Sequence, residues 1–368
     1  MKQKKSFGEI VNVIVHKQIF IPLAALFILV VFNFIADLIV NDGTSFFEIT
    51  YGMSKDGYHV LSGNLITVID NASELVLLAI GMTLVTAASG GQDISVGAVI
   101  AIAGSVILRI VCGDGSDANT LQAPIILAFF TACIVAMLFG AFNGMLVAYF
   151  KIQPMVATLI LFTAGRSIAA WINNNELPVM NAPSFGYFGK FIPGIAVPTP
   201  VLIAIAGMIL IGLVLKFTNL GLYAQSVGIN PNSSRLNGIN PEVIKLITYV
   251  ILGFFVAIAG LIKVSRVQSI NYSVIAKDIE MDAILAVALG GNPLGGGKFN
   301  IWASILGAYV IQMLTTTLFR YNVDATALPA YKAVVVVVLV VLSAPVVRER
   351  LNRFFASLKS KNEGKEAA

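Results

Sequence analysis

The chain has 368 residues; 57% belong to the apolar and aromatic class and only 12% are charged, against about 25% charged in ordinary soluble domains. This excludes a soluble surface and a solvated disordered coil, and the two cysteines, Cys112 and Cys133, lie inside apolar runs that exclude a disulfide scaffold. The net charge of +5 collects at the two ends of the chain, with no basic stripe interleaved with aromatics, so nucleic acid is not an expected partner and membrane lipid is.

A helix needs about 20 apolar residues to cross a bilayer. After a basic segment at 1–18, the run Ile19 to Val40 is too long for a signal-peptide core and reads as a retained span. Further spans are predicted near 72–90, 94–112, 123–150, 152–172, 197–217, 244–264, 281–291 with its flank, 299–318 and 331–347, about ten in all. The transmembrane domain is therefore 19–347, followed by a basic tail at 348–368. The expected fold is all-α and polytopic, with interrupted helices and a short helix outside the membrane. Placing both termini in the cytoplasm puts fifteen of the 24 Lys and Arg residues on that side, as the positive-inside rule favours. The 281–291 span is short, and parity with the basic tail favours a true crossing interrupted near Gly290 over a re-entrant hairpin.

Between the second and third spans lies Gly90-Gly91-Gln92-Asp93-Ile94-Ser95. Paired glycines end one helix, and Asp93 can cap the next by accepting its first backbone N–H groups. Two readings stay open, a tight structural turn near the cytoplasmic face and a helix break lining a translocation pathway. Arg166, inside the fifth span, is either functional or snorkels to the outer interface.

The segment 218–243 contains Gly228-Ile229-Asn230-Pro231-Asn232-Ser233-Ser234-Arg235-Leu236-Asn237-Gly238. Asn230 suits an N-cap, Pro231 the first helical position and Gly238 a C-terminal stop, which predicts a two-turn helix outside the membrane. It is either a rigid turn or a docking knob. Gly290-Gly291-Asn292-Pro293-Leu294-Gly295-Gly296-Gly297-Lys298 fails the phosphate-loop pattern, because Asn292 stands where the first glycine belongs and Phe299 where the Ser or Thr belongs. A close-packed bend is expected there, and Leu289-Gly290-Gly291-Asn292 faintly echoes Ser89-Gly90-Gly91-Gln92. No metal-ligand set and no nucleophile with a nearby base is present in the sequence, so neither a metal site nor catalytic residues are expected.

Gly81-Met82-Thr83-Leu84-Val85 with the Gly90 to Gly97 turn resembles the permease subunits of bacterial ATP-binding-cassette importers for simple sugars. The resemblance continues through Ile152-Gln153-Pro154-Met155-Val156-Ala157-Thr158-Leu159 with Gly165-Arg166, the Gly228 to Gly238 loop, and Met281 to Val287 leading into Gly290-Gly291, and spans roughly 60–345. Lys151-Ile152-Gln153-Pro154 and Gly296-Gly297-Lys298-Phe299-Asn300 look most like the galactofuranose branch; Gln92 departs from the isoleucine usual in the family.

The resemblance implies a permease in the bacterial inner membrane. It would pair with a second permease subunit, identical or not. A cytosolic ATPase would use ATP and magnesium, none of it bound by this chain, and an extracytoplasmic sugar-binding protein would deliver a pentose or hexose. Gly228, Asn230, Ser233, Ser234, Arg235 and Gly238 would couple to the ATPase; Gly90, Gly91, Gln92, Asp93, Ser95, Arg166, Gly290, Gly291 and Asn292 are candidates for the pathway or its helix breaks. The alternatives are an ion-coupled secondary transporter and a family permease for a non-sugar solute.

Overall fold

The computed structural model describes residues 19–40, 45–53, 57–113, 117–324 and 326–343. The predicted segment 1–18, the tail 348–368 and the end of the last predicted span lie outside them.

Each predicted span contains a helix. Seven are long and apolar enough to cross a membrane: α1 (Phe20–Val40), α2 (Asn64–Ser89), α4 (Ile125–Ala148), α5 (Pro154–Ile172), α7 (Thr199–Phe217), α10 (Pro241–Val267) and α12 (Ile301–Arg320). The other three are shorter: α3 (Val96–Cys112), α11 (Ile279–Leu289) and α13 (Leu328–Ser343). Three non-spanning helices, α6 (Pro183–Gly186), α8 (Leu220–Ile229) and α9 (Pro231–Leu236), complete the thirteen of the described residues. The hairpin β1 (Thr50–Met53) and β2 (His59–Ser62) was not anticipated; it is antiparallel, with Thr50 opposite Ser62 and Tyr51 stacked on His59.

Helix α2 is the centre: its most apolar stretch is 94% buried, against 22% for α1 and α7. α10 runs along α4 and α2; α3 packs on α5, α4 and α10; and α12 packs on α2 and α11. Small residues permit the closest of these approaches. A Cβ on Gly140 of α4 would run into the Tyr249 carbonyl of α10, and one on Gly253 of α10 into the Ala136 carbonyl of α4 at 2.5 Å. Between helices in lipid, where burying apolar surface gains little, such backbone proximity supplies the dispersion contact. Leu38, Phe27, Phe130 and Leu138 are exposed on peripheral helices, the kind of apolar surface a bilayer accommodates.

The eighth crossing is interrupted on both sides. α11 stops at Leu289 with Gly290 at its C-cap, as expected, but the chain is also non-helical ahead of it, and its 11 residues extend only about 16 Å at 1.5 Å per residue. Residues 268–278 before it are non-helical, and Gln268, Ala276 and Asp278 adopt left-handed φ of 57°, 51° and 63°. Unwound backbone at membrane depth is tolerated only where protein satisfies it. Arg166 does this: its Nη1 donates to the carbonyl oxygens of Tyr272 at 2.6 Å and Ile275 at 3.0 Å. Its guanidinium is thus held inside the protein and does not snorkel to an interface.

Candidate functional site: two helix breaks beneath a capped helix

The first break begins where α2 stops. Gly90 closes that helix with φ of 70°, a left-handed conformation natural to glycine, and its N–H donates to Thr86 O at 3.0 Å. Gly91 lies against the Pro154 ring, 2.6 Å from where a Cβ would stand. Asp93 is 3% exposed. Its Oδ1 accepts the Ser95 N–H at 2.8 Å and the Ser95 hydroxyl at 2.6 Å.

Asp93 therefore fastens the turn that enters α3, but the N-cap position itself belongs to Ser95, whose side chain makes no cap bond. Asn143 of α4 completes the cluster: its Nδ2 donates to Ser95 Oγ at 2.9 Å and to Asp93 Oδ2 at 3.3 Å. Sequence reasoning missed Asn143; the available signal was a single amide between Gly140 and Gly144 in an otherwise apolar span. The Ile94 N–H donates to Thr158 Oγ1 at 3.2 Å, which ties α5 to the same break.

The second break follows α11. Asn292 organises it, accepting the Asn300 N–H on Oδ1 at 2.6 Å and donating from Nδ2 to Ser304 Oγ at 2.7 Å and Val287 O at 3.2 Å. Ser304 in turn accepts from Thr83 of α2 at 2.7 Å. Gly291 has φ of 71°, and a Cβ on Gly290 would lie 2.7 Å from the Ser304 nitrogen.

The two breaks meet. Gln92 Nε2 donates to Leu294 O at 2.9 Å, the Gly297 N–H donates to Ala87 O at 2.9 Å, and Gly90 lies against Gly295 O, 2.9 Å from where its Cβ would be. The faint echo in the sequence thus corresponds to a physical junction.

Gly228, near the end of α8, seals this junction from one side: a Cβ there would fall on Ala87 O and stand 2.6 Å from Gly297 N. Directly after it comes α9, the expected two-turn helix. Asn230 caps it by accepting the Ser233 N–H on Oδ1 at 3.0 Å, and Gly238 follows with φ of 78°. Two predicted coupling residues sit differently from expectation. Gly228 is an internal contact, and Ser234 is buried with its hydroxyl returned to Asn230 O at 3.0 Å. Ser233 and Arg235 are exposed, and Arg235 pairs with Glu242 of α10. Among the described residues, the most exposed large apolar side chain is one the sequence reading passed over: Leu236, at 90%. Ala88, Ala224, Val227 and Ile244 form a separate small core beneath α8 and α9.

The family described as branched-chain amino acid transport system / permease component matches residues 64–344. The chain belongs to this permease family. The galactofuranose transporter permease protein YtfT of Escherichia coli (strain K12) is 39% identical over 284 residues, covering 77% of this chain and 80% of the relative. The fructose import permease protein FruF of Bifidobacterium longum (strain NCC 2705) is 36% identical over 313 residues, 84% of each chain. The ribose import permease protein RbsC of Escherichia coli (strain K12) is 34% identical over 284 residues, covering 76% of this chain and 85% of the relative. No solved structure matches the chain. The chain is accordingly a multi-pass membrane protein and a transport component rather than an enzyme. Among the described residues no group of three or more His, Cys, Asp or Glu side chains is placed to hold a metal ion.

Proposed function

We propose that the chain is the transmembrane subunit of an ATP-binding-cassette importer and carries a sugar of pentose or hexose size across the bacterial inner membrane, with both termini cytoplasmic. A partner ATPase binds and hydrolyses ATP with magnesium; a second permease subunit completes the pathway, and an extracytoplasmic binding protein delivers the sugar. The observation that carries this reading is α9. A short capped helix presents Leu236 and Arg235 to solvent while its base rests, through Gly228, on the junction of both helix breaks. A rigid knob so placed passes a push from an ATPase to the two interrupted helices without bending, because packed interfaces shift between discrete arrangements and do not deform smoothly.

The names of relatives, import permeases for galactofuranose, fructose and ribose, favour a neutral sugar. The family description names branched-chain amino acids, which keeps a non-sugar solute as the second reading. An ion-coupled secondary transporter fits less well. Glu74, which is 3% exposed, is ion-paired to Lys263 at 2.7 Å and Arg266 at 3.1 Å, Asp282 to Lys332 at 2.8 Å, and Asp93 is held by Ser95 and Asn143; Glu280 of α11, 2% exposed with no bond to its Oε2 among the described residues, is the carboxylate such a transporter would use.

The test is co-purification of the partner ATPase with the full chain and with Leu236→Asp. Loss of the ATPase from the variant, with membrane insertion intact, supports the reading. Equal recovery of the ATPase with both chains counts against α9 as its docking site.

A further inference from the structure

A cavity of about 450 Å³ opens among α2, α10, α11, α12 and α13, at the opposite end of α2 from the junction. Its walls are unusual for a membrane domain. Glu74 and Asn71 of α2 face Lys263 and Arg266 of α10, and Asp282 of α11, Lys332 of α13 and Lys277, just ahead of α11, complete the charged rim. Each carboxylate has its cation, as given above, and Arg266 also donates to Asn71 Oδ1 at 2.7 Å. Gln312 and Thr315 of α12 lie between these pairs. Gln312 is 11 residues from the start of α12 and eight from its end, which places it about 16 Å along the helix, near mid-span.

Polar groups collected at that depth are costly unless they line water or meet a ligand. The side-chain amide of Gln312 and the Asn71 Nδ2 have no hydrogen-bond partner among the described residues, while Glu74, Asp282, Lys263, Arg266 and Lys332 are held in fixed orientations by their ion pairs; Lys277 is the one lining charge with no ion pair among the described residues. The cavity thus offers donors and acceptors in several directions with its carboxylates neutralised in place. Its volume lies in the range of small-molecule sites, about 300–1,000 Å³.

We propose that this cavity is a binding site within the permease for a neutral polyhydroxylated solute, a sugar of pentose or hexose size, with Gln312, Asn71 and Thr315 bonding its hydroxyls. The proposal rests on the importer reading and adds to it a selectivity step in the permease itself, after delivery.

The full chain in lipid nanodiscs is titrated with D-ribose, D-galactose, D-fructose and, as an acidic probe, D-galacturonate, and binding is read by saturation-transfer NMR. At least one neutral sugar is expected to bind saturably, with affinity falling tenfold or more in Gln312→Leu and in Thr315→Val at unchanged thermal unfolding. As a readout that survives a poorly folding variant, Thr315→Cys is labelled in cells with a membrane-impermeant maleimide; labelling slowed by the bound sugar supports the site. Absence of saturable binding for all three neutral sugars, binding unchanged in both variants, or preference for galacturonate overturns it. ATP-driven uptake measured in parallel separates the two claims. Uptake that needs the ATPase but shows no cavity binding removes this proposal alone, whereas cavity binding with uptake independent of the ATPase removes the importer reading alone.

Discussion

The Gln92 side-chain amide donates to the Leu294 carbonyl oxygen at 2.9 Å across 202 residues of chain, tying the break after α2 to the glycine-rich loop after α11. Isoleucine at position 92, the residue usual in the resembling permeases, would fill similar space without that bond. Gln92→Ile is therefore expected to lower stability by about 0.5–1.5 kcal/mol, the usual net worth of one hydrogen bond. Thermal unfolding of the detergent-purified variant checks this; an unchanged midpoint would show that the bond contributes nothing.

Gly228→Ala is expected to be more damaging than its single methyl suggests. The added Cβ meets backbone, Ala87 O and Gly297 N, and not the flexible end of a side chain. Forcing such a group into packed structure costs about 1–3 kcal/mol and should separate α8 from both breaks, reducing transport as well as stability. Gly295→Ala, where a Cβ finds nothing within 4 Å, is the control expected to leave both unchanged. Equal behaviour of the two variants in uptake and unfolding would contradict the junction.

Asp93→Ala should cost about 1–3 kcal/mol, because the Ser95 N–H and hydroxyl lose their acceptor in a buried site and the Asn143 amide loses one of its two. Asp93→Asn keeps an oxygen for Ser95 but turns an amide toward the Asn143 amide, so a smaller loss is expected, with uptake per assembled complex near normal. Abolished uptake in a correctly assembled Asn variant would move Asp93 from positioning the turn to handling the solute.

Arg235→Glu removes a charge from the exposed face of α9 and also sets a second carboxylate beside Glu242. The exposed pair itself is worth only about 0–1 kcal/mol, so folding should survive. The charge exchange Arg235→Glu with Glu242→Arg restores the internal pair while leaving the reversed charge on α9. ATPase co-purification that stays low in the double variant assigns Arg235 to docking; full recovery assigns it to holding α9 in place.

The spans were legible because a bilayer demands long apolar runs, and α9 was legible because Asn230, Pro231 and Gly238 act on their immediate neighbours. Contacts made by folding were not. Nothing local marks Gln92 for Leu294 or Asn143 for Asp93; 268–278 falls between two predicted spans, but nothing within it points to Arg166, on another helix, as the group that satisfies its carbonyls. Glu74 shows the same limit: one carboxylate inside α2 acquires meaning only when α10 brings Lys263 and Arg266 to it.

The importer reading is tested most directly by uptake of radiolabelled D-galactose, D-fructose and D-ribose into proteoliposomes containing the chain, its partner ATPase and the binding protein. Uptake of one of these sugars that requires ATP and the ATPase, and that is indifferent to proton or sodium gradients, is the predicted result. Uptake by the chain alone, driven by an ion gradient without ATP, would contradict it.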